Sequence, residues 1–215
     1  VQNYVQMFAE FWNAFSKDPL TLPDSCGSCS PEQGDGYVLP YCDSPANRDA
    51  VSNHLYMELL GQATQYAWFF TPYLMLGDTL LDAFVRAAQR GVDVRIFVPG
   101  VPDKKLAYRM TQSFFRPLLE AGVRIYTYTP GFLHAKACLL DDEIGMLGTV
   151  NLDYRSLFLH FECNALFYRA SLLRDLKQDF EETLPLCKEI TQQDLRKALH
   201  SRMLDSVLRI ISPLC

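Results

Sequence analysis

Two stretches decide the fold, AAQRGVDVRIFV (87–98) and LLEAGVRIYTY (118–128). Each reads as the last turns of a helix, then glycine, valine and a strand. Glycine is the residue that ends a helix without steric cost, and the apolar run after it suits a buried strand. Two helix–Gly–Val–strand units in succession predict neighbouring parallel strands in an α/β fold. Working outward, DTLLDAFVRAAQRG (78–91) reads as a helix with Asp78 suited to its N-cap. Residues 103–121 read as one helix and 46–64 as another, with YAWFFTPY (66–73) a strand between the first two helices. Downstream, AKACLL (135–140) and IGMLGT (144–149) read as a hairpin around the acidic DDE, followed by the strand FECNALFY (161–168). Two helices, about 170–184 and 191–211, finish the pattern. The expected fold class is α/β, a mixed, largely parallel sheet with helices on both faces.

The chain has 215 residues, 49% hydrophobic and 21% charged, with a net charge of −5. That composition is globular and can bury one sizeable core. The acidic balance shows no nucleic-acid footprint, so no nucleic-acid partner is expected. The longest apolar run, YAWFFTPYLML (66–76), is too short to span a bilayer. The seven cysteines are odd in number and several lie in apolar segments, which argues for reduced thiols rather than a disulfide framework. Cys26 and Cys29 form one CxxC with no second pair, so no metal site and no cofactor is expected. Residues 1–16 carry apolar side chains at helical spacing, and a Pro-, Gly-, Ser- and Cys-rich linker follows.

The chemistry concentrates in GFLHAKACLLDDEIGMLGTVNLD (131–153). Along a strand, residues two apart face the same way, so His134 and Lys136 project together. A phosphate suits the pair: lysine supplies charge, and imidazole a nucleophile or proton donor at neutral pH. Asp141 has the opposite parity and sits at the turn, which points to a structural role in capping that turn. Thr149 and Asn151 share a parity. For them to face Lys136 and His134 across the hairpin, paired numbers must sum to an odd value; a loop with an even number of residues is therefore expected, with Lys136 near Thr149 and His134 near Asn151, whereas an odd loop with regular pairing would put the two pairs on opposite faces. A reactive histidine also needs a carboxylate to fix its tautomer. The nearby choices are Asp141, Asp142, Asp153 and Glu162. Glu162, between Phe161 and Cys163, needs a partner if buried. His134 is one option; Arg155 or Arg169 is the alternative, with His134 then an ordinary core histidine.

HAKACLLDDEIGMLGTVN resembles the HKD motif of the phospholipase D superfamily, His-x-Lys-x4-Asp-x6-Gly-Ser/Thr-x-Asn. With FFTPYL, AAQRGVDVRIFVPG, LLEAGVRIYTYTPGFLHAKACLLDD and GTVNLDYRSLFLHFE, the likeness extends to the C-terminal half of bacterial cardiolipin synthases, over roughly residues 37–190. The resemblance implies one phospholipase D-like half. Its catalytic residues would be His134, Lys136 and Glu162, with Thr149 and Asn151 on the phosphate and Asp141 and Gly148 structural. Glu162 falls where the family carries the carboxylate that orients the motif histidine. The implied reaction joins two phosphatidylglycerols into cardiolipin and releases glycerol through a phosphohistidine, without a metal. His160 departs from the family's usual asparagine; it can touch Glu162, and a structural role is expected of it. The larger departure is that the family's site uses two HKD motifs and this sequence has one.

The expected organisation is therefore residues 1–36 as the tail helix of a missing first half plus linker, 37–190 as the domain, and 191–215 as a C-terminal helix packed on it. The missing half, or a second copy, would complete the site. Thr71 and Tyr73, at a strand end, are expected to line the pocket. The full-length protein is expected at the bacterial cell membrane, against its anionic surface, with a cytosolic catalytic domain; this piece alone is expected to be soluble. Competing readings are a phospholipase D-type phosphodiesterase, a homodimeric one-motif nuclease, or a non-catalytic phosphate binder.

Overall fold

The computed structural model describes residues 2–22, 34–45, 49–197 and 202–212. In chain order the first elements are α1 (Gln2–Phe15), β1 (Tyr37–Asp43), α2 (Val51–Gln62), β2 (Tyr66–Phe70), β3 (Leu74–Met75), α3 (Asp78–Gln89) and β4 (Asp93–Pro99). Next come α4 (Lys105–Ser113), α5 (Phe115–Ala121), β5 (Arg124–Tyr128), β6 (Ala137–Leu140), β7 (Ile144–Gly148), β8 (Leu152–Asp153) and α6 (Tyr154–Phe158). The last are β9 (Glu162–Tyr168), α7 (Leu172–Thr183), a 3-10 turn (Leu184–Leu186), β10 (Cys187–Ile190), α8 (Gln192–Lys197) and α9 (Arg202–Ile211). Cys26, Cys29 and His200 lie outside the described residues.

The two Gly–Val repeats end their helices with the same device. Gly91 and Gly122 hold φ of +92° and +98°, which costs a glycine almost nothing. The next residues, Val92 and Val123, donate back to Ala87 O and Leu118 O at 3.2 and 3.0 Å, while each glycine N–H reaches Ala88 O or Leu119 O. This is a Schellman motif, and it drops both valines into the core as each strand begins. The strands that follow, β4 and β5, pair in parallel.

One eight-stranded sheet runs β1-β9-β7-β6-β2-β4-β5-β10, with β3 and β8 as a small separate parallel pair. Within the large sheet β2, β4 and β5 are parallel neighbours and the other pairs are antiparallel, so five strands run one way and three the other. Strand β2 is buried on both faces. Ala67 and Phe69 join the larger apolar cluster with α2, α3 and α5; Tyr66, Trp68 and Phe70 face α7 with Leu173, Leu176 and Phe180. Phe180 stacks on Phe70 with ring centroids 3.8 Å apart. The sheet is thus the middle of three layers.

Three expectations about elements need correction. The helix expected over 103–121 is two, broken at Phe114: the ring of Pro117 excludes the carbonyl of Ser113, four residues back, from a continuous helix. Asp78 is the first helical residue rather than the cap, which is Gly77. Elements β3, β8, α6 and β10 were not expected, because two- to five-residue pieces lack a period to read. Helix α9 packs on α4 through buried Leu208 and an ion pair of Asp205 with Arg109 at 2.6 Å. Among the described residues no helix is long and apolar enough to cross a membrane.

Candidate active site

Strands β6, β7 and β9 are neighbours and alternate in direction. The start of β6, the end of β7 and the start of β9 therefore share one sheet edge. The C-terminal ends of β2, β4 and β5 lie at the same edge, because β2 is antiparallel to β6. That edge is where ligands collect in open α/β sheets. His134 and Lys136 lead into β6, Thr149 and Asn151 follow β7, and Glu162 opens β9.

The register differs from the one the motif suggested. The loop between β6 and β7 has three residues, 141–143, and paired numbers sum to 284, from Ala137↔Leu147 to Leu140↔Ile144. Lys136 pairs with Gly148, whose N–H donates to Lys136 O at 3.2 Å. Thr149 and Asn151 are thus not cross-strand partners of Lys136 and His134. The odd loop is possible because Asp141 and Asp142 adopt left-handed φ of +52° and +60°, and aspartate tolerates that conformation better than most residues.

The residues converge instead on Glu162. Its carboxylate is buried, 8% exposed. It accepts the Thr149 hydroxyl proton, while Thr149 Oγ1 accepts Cys163 N–H at 2.9 Å. The Thr149 hydroxyl is therefore occupied in holding Glu162. Lys136 senses Glu162 and Asp153. Burial pushes the Lys136 ammonium below the ordinary lysine range, and those two carboxylates oppose the shift without reversing it. Lys136 Nζ also donates to His134 O at 2.8 Å, which ties the lysine head to the backbone of the motif histidine.

Glu162 meets a different histidine from the one expected. His160 Nδ1 lies 3.6 Å from Glu162 Oε1. Arg155 Nε–H donates to His160 Nε2 at 3.3 Å, so the hydrogen-bond network assigns the imidazole proton to Nδ1, facing Glu162. Arg169 pairs with Glu143 at 2.9 Å and takes no part. The ring of exposed His134 instead stacks near Phe132, centroids 5.5 Å apart. Among the described residues Glu162 makes no bond to His134; its side-chain donor is Thr149, with His160 as the near imidazole.

Asp141 is at the other end of the hairpin. Five extended residues of about 3.4 Å place it roughly 17 Å from Lys136. It does not cap its own turn, which the backbone closes through Glu143 N–H to Leu140 O at 3.0 Å. Its oxygens accept Thr64 N–H and hydroxyl, Gln65 N–H and Tyr66 N–H, at 2.7 to 2.9 Å. Burial raises the Asp141 carboxyl, but these donors together outweigh it and hold the pKa below the usual range. Gly148 is required by close approach: a Cβ there would lie 1.9 Å from Asn164 Oδ1 and 2.2 Å from Cys163 O.

A cleft of about 430 Å³ opens beside the site, with Tyr73, Asn151, Asp153, Arg155 and His160 in its wall; His134 and Lys136 are not in that lining. Thr71, expected in the pocket, is fully buried below it and accepts Leu152 N–H at 3.1 Å, linking the two parts of the site's floor. Asn151 donates to Ser156 Oγ at 3.0 Å, and its buried Oδ1 has no donor among the described residues. Sequence reading missed Lys104 and named Arg155 only as a possible partner of Glu162, since neither belongs to a spaced motif. The Asp153-x-x-Ser156 spacing is a legible helix cap, and Asp153 accepts Ser156 N–H at 2.8 Å.

The fold is one shared with solved phospholipase D family members. The chain superposes on Nuc from Salmonella typhimurium, a phospholipase D family member, with a TM-score of 0.61 at 14% identity, over 74% of this chain and 100% of that one. A phosphatidylserine synthase from Haemophilus influenzae gives 0.62 at 19% identity, over 82% and 45%. These likenesses concern the fold. The family described as "Cardiolipin synthase, PLD-like domain" matches residues 56–184, and the chain belongs to it. Cardiolipin synthase 2 of Bacillus cereus is 36% identical over 217 residues, covering 100% of this chain and 42% of that protein. The chain thus spans less than half the length of such relatives.

Proposed function

We propose that the chain is the C-terminal catalytic half of a cardiolipin synthase, a phosphatidyltransferase that joins two phosphatidylglycerols into cardiolipin and releases glycerol. The observation that carries this reading is the gathering of Lys136, Thr149 and Glu162 at one sheet edge, beside exposed His134, in a chain of this family. One His-x-Lys is half of a two-motif site, and the exposed histidine leaves room for the other half.

In this reading the histidine of the missing half attacks phosphorus. The bond from phosphorus to the glycerol oxygen breaks, and His134 gives its proton to that oxygen. The glycerol hydroxyl of a second phosphatidylglycerol then loses its proton to His134 and attacks the phosphohistidine. The phosphorus–nitrogen bond breaks, and both histidines return to their starting states. Lys136 and Asn151 stabilise the charge that builds on the phosphoryl oxygens. Glu162 favours the charged form of Lys136. The whole protein would work at the bacterial membrane, where its substrate resides.

The test is turnover of labelled phosphatidylglycerol by this chain alone and by the chain mixed with the missing half. Turnover only in the mixture, with cardiolipin as product, supports the reading. The single motif favours one alternative, a homodimeric phosphodiesterase. Activity of the chain alone that rises with the square of its concentration would put that alternative first.

A further inference from the structure

The cleft beside the site has a polar floor and an apolar wall. His160, in its lining, connects it to Glu162. Two further cations face it, Arg155 and Lys104. The Arg155 guanidinium is held at Nε by His160, which fixes the plane of its fork. The carboxylates nearby are already engaged. Asp153 caps α6, and Asp103 at the rim accepts the Tyr73 hydroxyl and Lys104 N–H. The same lining holds the apolar side chains of Met75, Met110 and Leu106. Within that lining Leu106 is apolar and open to solvent, 60% exposed.

We propose that this cleft seats the second phospholipid of the reaction, with its phosphodiester against Arg155 and Lys104 and the first part of its acyl chains along Met75, Met110 and Leu106. The inference rests on the transferase reading, and adds to it where the acceptor lipid binds. A free phosphate or a small phosphorylated metabolite would use the cations and leave the apolar wall wet. A purely apolar ligand would leave two cations facing it unpaired, which is unfavourable. A phosphodiester with attached chains satisfies both surfaces. The volume, about 430 Å³, suits a headgroup and the carbons next to it. The rest of each chain would leave past exposed Leu106 towards the bilayer. His134 and Lys136 are outside this lining, so the phosphodiester held here is not the one they act on, and the acceptor hydroxyl would enter the reaction from this side.

The test uses this chain, isotopically labelled, with amide shifts followed by NMR. The probes are a short-chain phosphatidylglycerol below its micelle concentration and its deacylated glycerophosphodiester. The lipid should shift the amides of Tyr73, Leu106 and Ala107 and bind at least about tenfold more tightly than the deacylated probe, as burial of a few methylenes requires. Arg155→Gln should weaken both probes about tenfold. Leu106→Asp, at an exposed position that the fold does not need, should weaken only the lipid. Equal affinities for the two probes, or no effect of Leu106→Asp, would overturn the proposal. Lipid shifts confined to residues 132–136 would also overturn it, while leaving the transferase reading intact. Lipid bound in the cleft without turnover by the two mixed halves would instead sink the transferase reading and leave a phospholipid-binding cleft.

Discussion

The β6–β7 hairpin has two ends built from one continuous motif, and they differ in every physical respect. At the turn end Asp141 accepts four hydrogen bonds from residues 64–66 and is pinned to the start of β2. At the open end His134 is exposed, Lys136 is held below its ordinary pKa, and Asn151 Oδ1 is buried without a donor among the described residues. One end is saturated and the other is left unsatisfied. A motif of spaced residues therefore mixes two kinds of position: some are held in the scaffold, and others are left exposed or with open hydrogen-bonding capacity. Parity along the strand separates Asp141 from the pair His134 and Lys136, and the tertiary contacts give each its surroundings.

Substitutions at the two ends should separate these roles. The largest expected effect is at the open end. His134→Ala or Lys136→Ala should lower turnover by the reconstituted halves by roughly a thousandfold or more, with melting close to that of the parent. Loss of folding in either variant would break the contrast. Next is Gly148→Ala. Its Cβ would overlap Asn164 and Cys163, so denaturant unfolding should show a loss of about 3 kcal/mol, the scale of overpacking against fixed backbone.

Asp141→Ala should cost about 2 kcal/mol by leaving its donors unpaired, with the chemical step little changed once folded. Its pKa is depressed by folding, so the stabilisation is present above the ordinary aspartate value, near 4. It is lost as pH falls below that value towards the folded pKa. Acid titration of stability should therefore be flatter in Asp141→Ala than in the parent below about pH 4. Equal slopes would remove Asp141 from the turn-end argument. The smallest effect is expected far from the hairpin. Gly122→Ala forces a side chain into left-handed backbone and should cost about 1 kcal/mol with no change in activity.

How much of this was legible follows from which interactions are local. The Gly–Val repeats were readable because a Schellman motif lies within six residues and the parallel pairing of β4 and β5 follows from two consecutive units. The break at Phe114 was also local in cause: Pro117 acts four residues back. The hairpin register was not legible. It depended on two aspartates taking left-handed backbone, and one of these is braced by donors some 75 residues earlier in the chain. His160 was legible as a departure from the family pattern, and its reach to Glu162 as a matter of parity. Its hydrogen bond with Arg155 was not.

The sequence by itself determined the fold class and the family, because apolar period, helix-ending glycines and motif spacing are properties of neighbours along the chain. Only the tertiary structure decided which residues meet. It gave Glu162 to Thr149 and His160, withdrew Thr71 beneath the pocket, and added Lys104 and Arg155 to the wall of the cleft. The physical reason is that a buried carboxylate takes whichever donors the packed sheet edge presents to it, and those donors come from segments the spacing of a motif does not connect.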